Sequence, residues 1–177
     1  MGKKVLILSG SPRKKGNSDI LCDQFIKGAE EKGNTTEKIY LKDKKIEFCD
    51  ACDACRKTQK CIKKDDMQEI IDKMIDADVI VLATPVYFYS MDGQIKTMID
   101  RTLPCYMKIR NKEFYFIATA AADKEYMKRT IDSLCGFTDC LPESRIQGIV
   151  YGSNAWEIGD IKKSDSMDKA YELGLNV

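Results

Sequence analysis

Two stretches of this chain carry residue types that do chemistry. The first is Gly10-Ser11-Pro12-Arg13-Lys14-Lys15-Gly16-Asn17-Ser18. Val5, Leu6, Ile7 and Leu8 lead into it, and a helical pattern with Leu21, Phe25 and Ala29 follows. A buried strand therefore runs into a tight polar loop and straight into a helix. The first N–H groups of such a helix have no partner inside it and carry its positive dipole end, so the loop suits an anion. Ser11, Asn17 and Ser18 are donors, and Arg13 offers a guanidinium fork that matches phosphate. Gly10 and Gly16 let the backbone turn and approach closely. Two common nucleotide signatures are excluded. A Walker loop needs Lys where this chain has Asn17, and Ser11-Pro12 breaks the dinucleotide pattern. What remains suits a terminal phosphate monoester, which flavin mononucleotide (FMN) fits better than ATP or a pyrophosphate. The alternative is an ordinary strand-to-helix turn capped by Asn17 or Ser18.

The second stretch holds Cys49, Cys52, Cys55 and Cys61, half of the eight cysteines. Their spacing, C-x2-C-x2-C-x5-C, lets successive thiolates converge on one centre, as in ferredoxin cluster loops. A 4Fe–4S cluster is one expectation, and free or reversibly oxidised thiols are the other. Zinc is less natural, because four-cysteine zinc sites usually set two C-x2-C pairs further apart. Asp50 and Asp53 add negative charge between the thiols and disfavour four free thiolates. Cys22, Cys105, Cys135 and Cys140 have no ligand spacing and are expected to be buried as small apolar side chains. Histidine is absent, which removes Ser-His and Cys-His nucleophile pairs and every His-ligated metal. Chemistry must come from a cofactor, thiols, carboxylates or Lys.

The elements that position these stretches follow from periodicity. Residues 35–41 alternate weakly and predict an edge strand after a break at Gly33-Asn34. Asp66 with Glu69 matches a capping box, and Met67, Ile70, Ile71, Met74 and Ile75 share one helical face. Val79-Ile80-Val81-Leu82-Ala83 reads as a parallel strand buried on both faces and ended by Pro85. A loop with Val86, Tyr87, Phe88 and Tyr89 leads to a helix carrying Ile95, Met98, Ile99 and Leu103. Residues 114–118 and 147–151 are two more strands, with helices through Met127 to Leu134 and from Ser166 to about Leu173. Five strands alternating with helices predict an α/β, three-layer, flavodoxin-like fold with a parallel sheet in the order 2-1-3-4-5, as one domain over residues 1–177. Ligands of such sheets sit beyond the carboxyl ends of the strands. That places residues 10–18, 84–90 and 119–123 around one site. Asp100 and Arg101 are expected to form a structural ion pair, and Trp156 to lie in the core or at a subunit contact rather than over a flavin.

The bulk numbers bound the partners. The chain has 177 residues, 32% charged, with a formal net charge of +1. No strong field draws it to nucleic acid or acidic lipid. No run approaches the ~20 apolar residues of a membrane span. Met1-Gly2-Lys3-Lys4 leads into a strand rather than a signal peptide, so the expected location is cytoplasmic.

The motifs Gly10-Ser11-Pro12-Arg13 to Asn17-Ser18, Thr84-Pro85-Val86-Tyr87, Gln94-x-Lys96 and Asp100-Arg101 occur in the order that resembles the NADPH-dependent FMN reductase family. Gly159-Asp160 and Ala170-Tyr171-Glu172-Leu173-Gly174 resemble that family's carboxyl end. The likeness covers nearly the whole chain. It implies that Ser11, Arg13, Asn17 and Ser18 hold the FMN phosphate, that Pro85, Val86, Tyr87 and Phe88 border the isoalloxazine ring, and that Thr119 and Ala120 line its other edge. It implies an enzyme in which NAD(P)H delivers hydride to the flavin N5 atom, with no catalytic side chain. Electrons then pass to a small acceptor such as a quinone, a nitro compound or a flavin. It also implies a homodimer or homotetramer. The cysteine segment is similar to that of the iron–sulfur flavoproteins, so the rival expectation is an electron carrier with a 4Fe–4S cluster on Cys49, Cys52, Cys55 and Cys61.

Overall fold

The computed structural model describes residues 2–177. Its strands are β1 (Lys4–Ser9), β2 (Thr35–Tyr40), β3 (Val79–Tyr87), β4 (Ser90–Met91), β5 (Glu113–Thr119) and β6 (Arg145–Gly152). Its helices are α1 (Asn17–Glu31), α2 (Cys55–Thr58), α3 (Met67–Asp76), α4 (Gly93–Arg101), α5 (Lys128–Asp139) and α6 (Ser166–Leu175). Five strands pair in parallel in the order β2-β1-β3-β5-β6, and β4 pairs antiparallel with the end of β3. Without that two-residue strand, the order is the expected flavodoxin-like one.

The two-residue period of the central strands builds the layers. Val5, Ile7, Val79, Val81, Tyr115 and Ile117 face Leu21 and Phe25 of α1 and Ala170 and Leu173 of α6. Leu6, Leu8, Ile80, Leu82, Phe114 and Phe116 face Met67, Ile70 and Met74 of α3, Ile95 and Met98 of α4, and Ile131 and Leu134 of α5. Each fully buried large side chain contributes about 1.5–3 kcal/mol, so both faces must be covered. The α1–α6 layer depends on two glycines. A Cβ at Gly28 would lie 2.2 Å from the Tyr171 carbonyl oxygen, and one at Gly174 would lie 2.1 Å from that of Phe25. Among the described residues, no helix is long and apolar enough to cross a membrane.

Several local expectations are corrected. The third strand runs through Pro85 to Tyr87. Its pairing with β1 ends at Ala83, so Pro85 interrupts no ladder on that side, and β5 runs beside it to Thr119. Phe88 (φ 49°) and Tyr89 (φ 62°) then form the two-residue turn into β4, a left-handed pair that usually selects Asn-Gly. The capping box at Asp66 does not form. Asp66 instead accepts from the Lys45 N–H (2.7 Å) and Glu69 pairs with Lys44 (2.7 Å), because residues 44–47 run alongside. It is Asp65 that accepts from Met67 N–H at the start of α3 (3.2 Å). Asp100 and Arg101 do not pair with each other. Asp100 meets Lys96 one turn back (2.7 Å), and Arg101 reaches Asp65 (2.7 Å). Cys22 and Cys105 are buried as expected, whereas Cys135 is half-buried and Cys140 is exposed at the end of α5.

Candidate functional site

Strands β1, β3 and β5 end at one edge of the sheet, and the loop between β1 and α1 is held there at several points. Gly10 N–H donates to the Ala83 carbonyl (2.9 Å) and Gly16 N–H to that of Arg13 (3.1 Å). The Ser11 hydroxyl accepts from Arg13 N–H (3.2 Å). Lys15, at φ 62°, donates its N–H to the buried Asp19 carboxylate (2.7 Å). Asp19 also receives the Lys38 ammonium (2.6 Å) and the Tyr40 hydroxyl (3.2 Å). Burial alone would depress Lys38, but its bonds to Asp19, Asp23 and Tyr40 raise its pKa above the ordinary lysine range. Gly10 is a close approach as well as a turn, since a Cβ there would lie 2.1 Å from Asp92 Oδ2. The buried Asp92 caps α4 by accepting from Gln94 N–H (2.9 Å) and Ile95 N–H (3.1 Å), and Thr84 donates its hydroxyl to it (2.7 Å). Burial pushes the Asp92 carboxyl up against those bonds.

The helix behind this loop starts with Gly16 at its N-cap and no capping side chain. Its first N–H groups are left to whatever occupies the loop. A cleft of about 400 Å³ lies there, within the ~300–1,000 Å³ of small-molecule sites. Ser11, Arg13, Asn17, Ser18, Pro85, Val86, Tyr87, Thr119 and Ala120 all line it. Ser11 and Ser18 are buried, and Arg13 is exposed at its edge. Lys14 turns away, to Asp43 (2.6 Å) and the Tyr40 ring. Phe88 does not line the cleft. It stands at the hairpin tip, 99% exposed.

A wall that sequence reasoning missed is formed by Ala155, Trp156, Glu157 and Ile158. These residues follow β6 at the same sheet edge, which is the signal that would have found them. Asn17 ties this wall to α1. Its amide donates to the carbonyls of Ala155 (3.2 Å) and Glu157 (2.9 Å) and accepts from Gly159 N–H (3.0 Å). The Asn17 side chain is thus engaged, and what it leaves open to a ligand is its backbone N–H. Trp156 is 75% exposed, so it is not a core residue.

The four clustered cysteines line a second, smaller pocket of about 30 Å³, together with Ile62, Leu103, Pro104 and Arg101. It shares no lining residue with the larger cleft. Cys49 and Cys52 lie on an irregular stretch with left-handed Ala51 (φ 52°) and Asp53 (φ 58°), Cys55 opens α2, and Cys61 follows it. Among the described residues, no three Cys, Asp, Glu or His side chains are placed to hold a metal ion. The arrangement brings the sulfurs to one pocket without closing them on one centre. Beneath it, Arg101 is 2% exposed and bidentate on Asp65 (2.7 and 3.1 Å), and donates to the Glu47 carbonyl (2.6 Å). Burial alone would raise the Asp65 carboxyl, but Arg101 and two backbone N–H groups hold it below the ordinary carboxylate value. The Arg101 Nε–H is buried without a partner. A buried donor in that state costs about 1–3 kcal/mol.

Residues 3–136 match the NADPH-dependent FMN reductase family. The chain belongs to that family. An iron-sulfur flavoprotein of Methanocaldococcus jannaschii is 37% identical over 136 residues, covering 76% of this chain and 70% of the relative. An iron-sulfur flavoprotein of Archaeoglobus fulgidus is 31% identical over 178 residues, covering 92% of this chain and 87% of that one. Among solved structures, an NAD(P)H:quinone oxidoreductase from Methanothermobacter marburgensis superposes with a TM-score of 0.82 at 16% identity, over 99% of this chain and 96% of the other. That likeness carries the fold. The family match carries the class, so this FMN reductase family member is an oxidoreductase.

Proposed function

We propose that the protein binds FMN in the larger cleft and is an NAD(P)H-dependent oxidoreductase that passes electrons to a small acceptor such as a quinone, nitro compound or free flavin. The observation that carries this reading is the uncapped start of α1, which opens beside buried Ser11 and Ser18 and the Arg13 guanidinium. That donor set suits a dianionic phosphate monoester. In this reading the backbone N–H groups of Asn17 and Ser18, with the Ser11 and Ser18 hydroxyls, hold the phosphate, and Arg13 closes over it. Pro85, Val86 and Tyr87 border the ring on one side, and Thr119 and Ala120 on the other. The flat apolar surface and backbone groups of these two loops suit a flavin ring. Bound FMN supplies the hydride and electron chemistry. The chain supplies binding, orientation and exclusion of water, and no side chain is asked for a proton. Tyr87, Phe88, Tyr89, Trp156 and Ile158 are exposed apolar residues, most of them around the mouth of the cleft, which supports a homo-oligomer with its contact nearby.

A second reading is favoured by the cysteine pocket. Four cysteines and one buried, unpartnered guanidinium donor share a small pocket, and relatives that cover most of this chain are named iron-sulfur flavoproteins. In this reading Cys49, Cys52, Cys55 and Cys61 ligate a 4Fe–4S cluster, and the protein carries electrons. Four thiols match such a group by type only; they are not placed to hold a metal ion here, so the irregular stretch before α2 would have to close around it. Two measurements test these readings. Anaerobic NADH or NADPH should bleach the visible absorbance of the FMN-loaded protein; no bleaching would remove the oxidoreductase mechanism. Anaerobic reconstitution should give about four irons per chain for the cluster; no iron uptake would leave a plain FMN reductase.

A further inference from the structure

We propose that Asp19, a buried acid outside the cleft, is a positioning residue for the FMN phosphate: through the Lys15 N–H it holds the turn that carries Arg13. The inference rests on the FMN reading above. Residues Arg13 to Gly16 form a turn closed by Gly16 N–H on the Arg13 carbonyl (3.1 Å). Its third residue, Lys15, stands at φ 62°, where turns usually select Gly or Asn. A lysine side chain does not favour that conformation. What holds Lys15 there is its N–H, donated to Asp19 Oδ2 (2.7 Å). Asp19 is the third residue of α1, and an acid at that place usually reaches back to the N-cap N–H. Here it reaches one residue further back and ties the turn to the helix. Arg13 opens that turn, and Gly16, the N-cap of α1, closes it. Asp19 therefore sets where the guanidinium starts relative to the free N–H groups of α1.

A carboxylate in the first turn of α1 would oppose a phosphate in the loop, and the edge strand offsets that charge. Lys38 Nζ lies 2.6 Å from Asp19 Oδ1 and also meets Asp23, and the Tyr40 hydroxyl donates to Asp19 Oδ2 (3.2 Å). Lys38 and Tyr40 are two residues apart on β2, so both present to α1. Both oxygens of Asp19 are thus engaged, and neither Asp19, Lys38 nor Tyr40 lines the cleft. The acid gives the turn its hydrogen bond from behind, with a cation between it and open solvent. Lys14 is drawn the same way, onto Asp43 (2.6 Å) and over the Tyr40 ring (5.0 Å). Of the turn's three cations, only Arg13 lines the cleft.

The test titrates the full chain with FMN and with riboflavin, which lacks only the phosphate, and follows Trp156 fluorescence. The wild type is expected to prefer FMN. Asp19→Ala should cut that preference about tenfold, by a loss of FMN affinity with riboflavin affinity unchanged. Adding Lys15→Gly to that variant should restore most of the preference, since Gly takes the positive φ without help from the carboxylate. A merely structural role for Asp19 would weaken FMN and riboflavin together and would not be repaired by that glycine. Either result, or an unaltered preference, would overturn the proposal. Should Asp19→Ala fail to fold, Lys15→Pro decides the matter with Asp19 in place, because Lys15 is exposed and proline removes both the N–H and the positive φ. The Pro variant should lose the FMN preference, and a retained preference would overturn the proposal. A wild type that binds riboflavin as tightly as FMN would sink the phosphate reading itself, and this role for Asp19 with it.

Discussion

Replacing Asn17 separates the mounting of the cleft from its charge. Three of its hydrogen bonds, at 2.9 to 3.2 Å, join the start of α1 to the wall that carries Trp156. Neutral hydrogen bonds contribute about 0.5–1.5 kcal/mol each. Water can replace part of that at this half-exposed seam, so Asn17→Ala should cost about 1–2 kcal/mol of stability. It should also loosen the wall and weaken FMN by a few fold. Asn17→Asp behaves differently. Its carboxylate still accepts from Gly159 N–H and sits at a helix N-terminus, where a negative charge is worth about 0.3–1 kcal/mol. Its other oxygen faces the Ala155 and Glu157 carbonyls with no proton to donate, so its stability should fall to or below that of the Ala variant. Its FMN affinity should be the lowest of the three. At roughly 6 Å and an effective dielectric near 40, each unit of phosphate charge opposes it by about 1.4 kcal/mol, or about tenfold. Trp156 is the only tryptophan and lines the cleft, so its fluorescence reports the FMN titration directly, and urea unfolding gives the stabilities. An Asp variant that binds FMN as tightly as the Ala variant would refute a phosphate at the start of α1.

Four further outcomes follow from the geometry. Arg13→Ala should weaken FMN by about 1.5–3 kcal/mol and leave the urea midpoint unchanged, since the residue is exposed. Gly174→Ala should cost about 1–3 kcal/mol or more, because its Cβ would meet the Phe25 carbonyl oxygen at 2.1 Å; an unchanged melting temperature would dismiss the tight α1–α6 seam. Phe88→Asn should stabilise the chain by about 0.5–1 kcal/mol, since Asn tolerates φ 49° and the Phe side chain is exposed; a loss in thermal unfolding would argue against strain in that turn. Asp65 lies below its ordinary value of 3.8 in the folded chain, so its stabilisation is present above that pH and is lost as pH falls through the lower folded value. Asp65→Asn should remove this acid-side loss and cost about 3–5 kcal/mol near neutrality by leaving Arg101 unpaired, measured as urea midpoints across acidic pH.

The parallel strands were legible because Val79 to Ala83 and its counterparts are apolar runs with turn signals at each end, and local pattern decides such strands. The loop before α1 was legible as a wall of the cleft because its residues are contiguous in the chain. What failed was non-local. Pro85 reads as a stop, yet the neighbouring strand has already ended there. Asp66 reads as a cap, yet residues 44–47 arrive from outside the helix and claim its carboxylate. Arg101 reads as the partner of Asp100, yet the i,i+4 Lys96 and the distant Asp65 take one each. The Trp156 wall needed the sheet to be closed before its position at the cleft was visible, and no residue type in it signals a ligand. Phe88 sits in an aromatic run with Tyr87, but the turn after Tyr87 throws it clear of the cleft.

The central claim is a monophosphate flavin at the start of α1, and the mass and stoichiometry of the ligand released from gently purified protein test it most directly. FMN at one per chain is the predicted result. FAD at full occupancy would contradict the account, because the uncapped start of α1 suits a terminal phosphate and the loop before it has no dinucleotide fingerprint to hold a pyrophosphate.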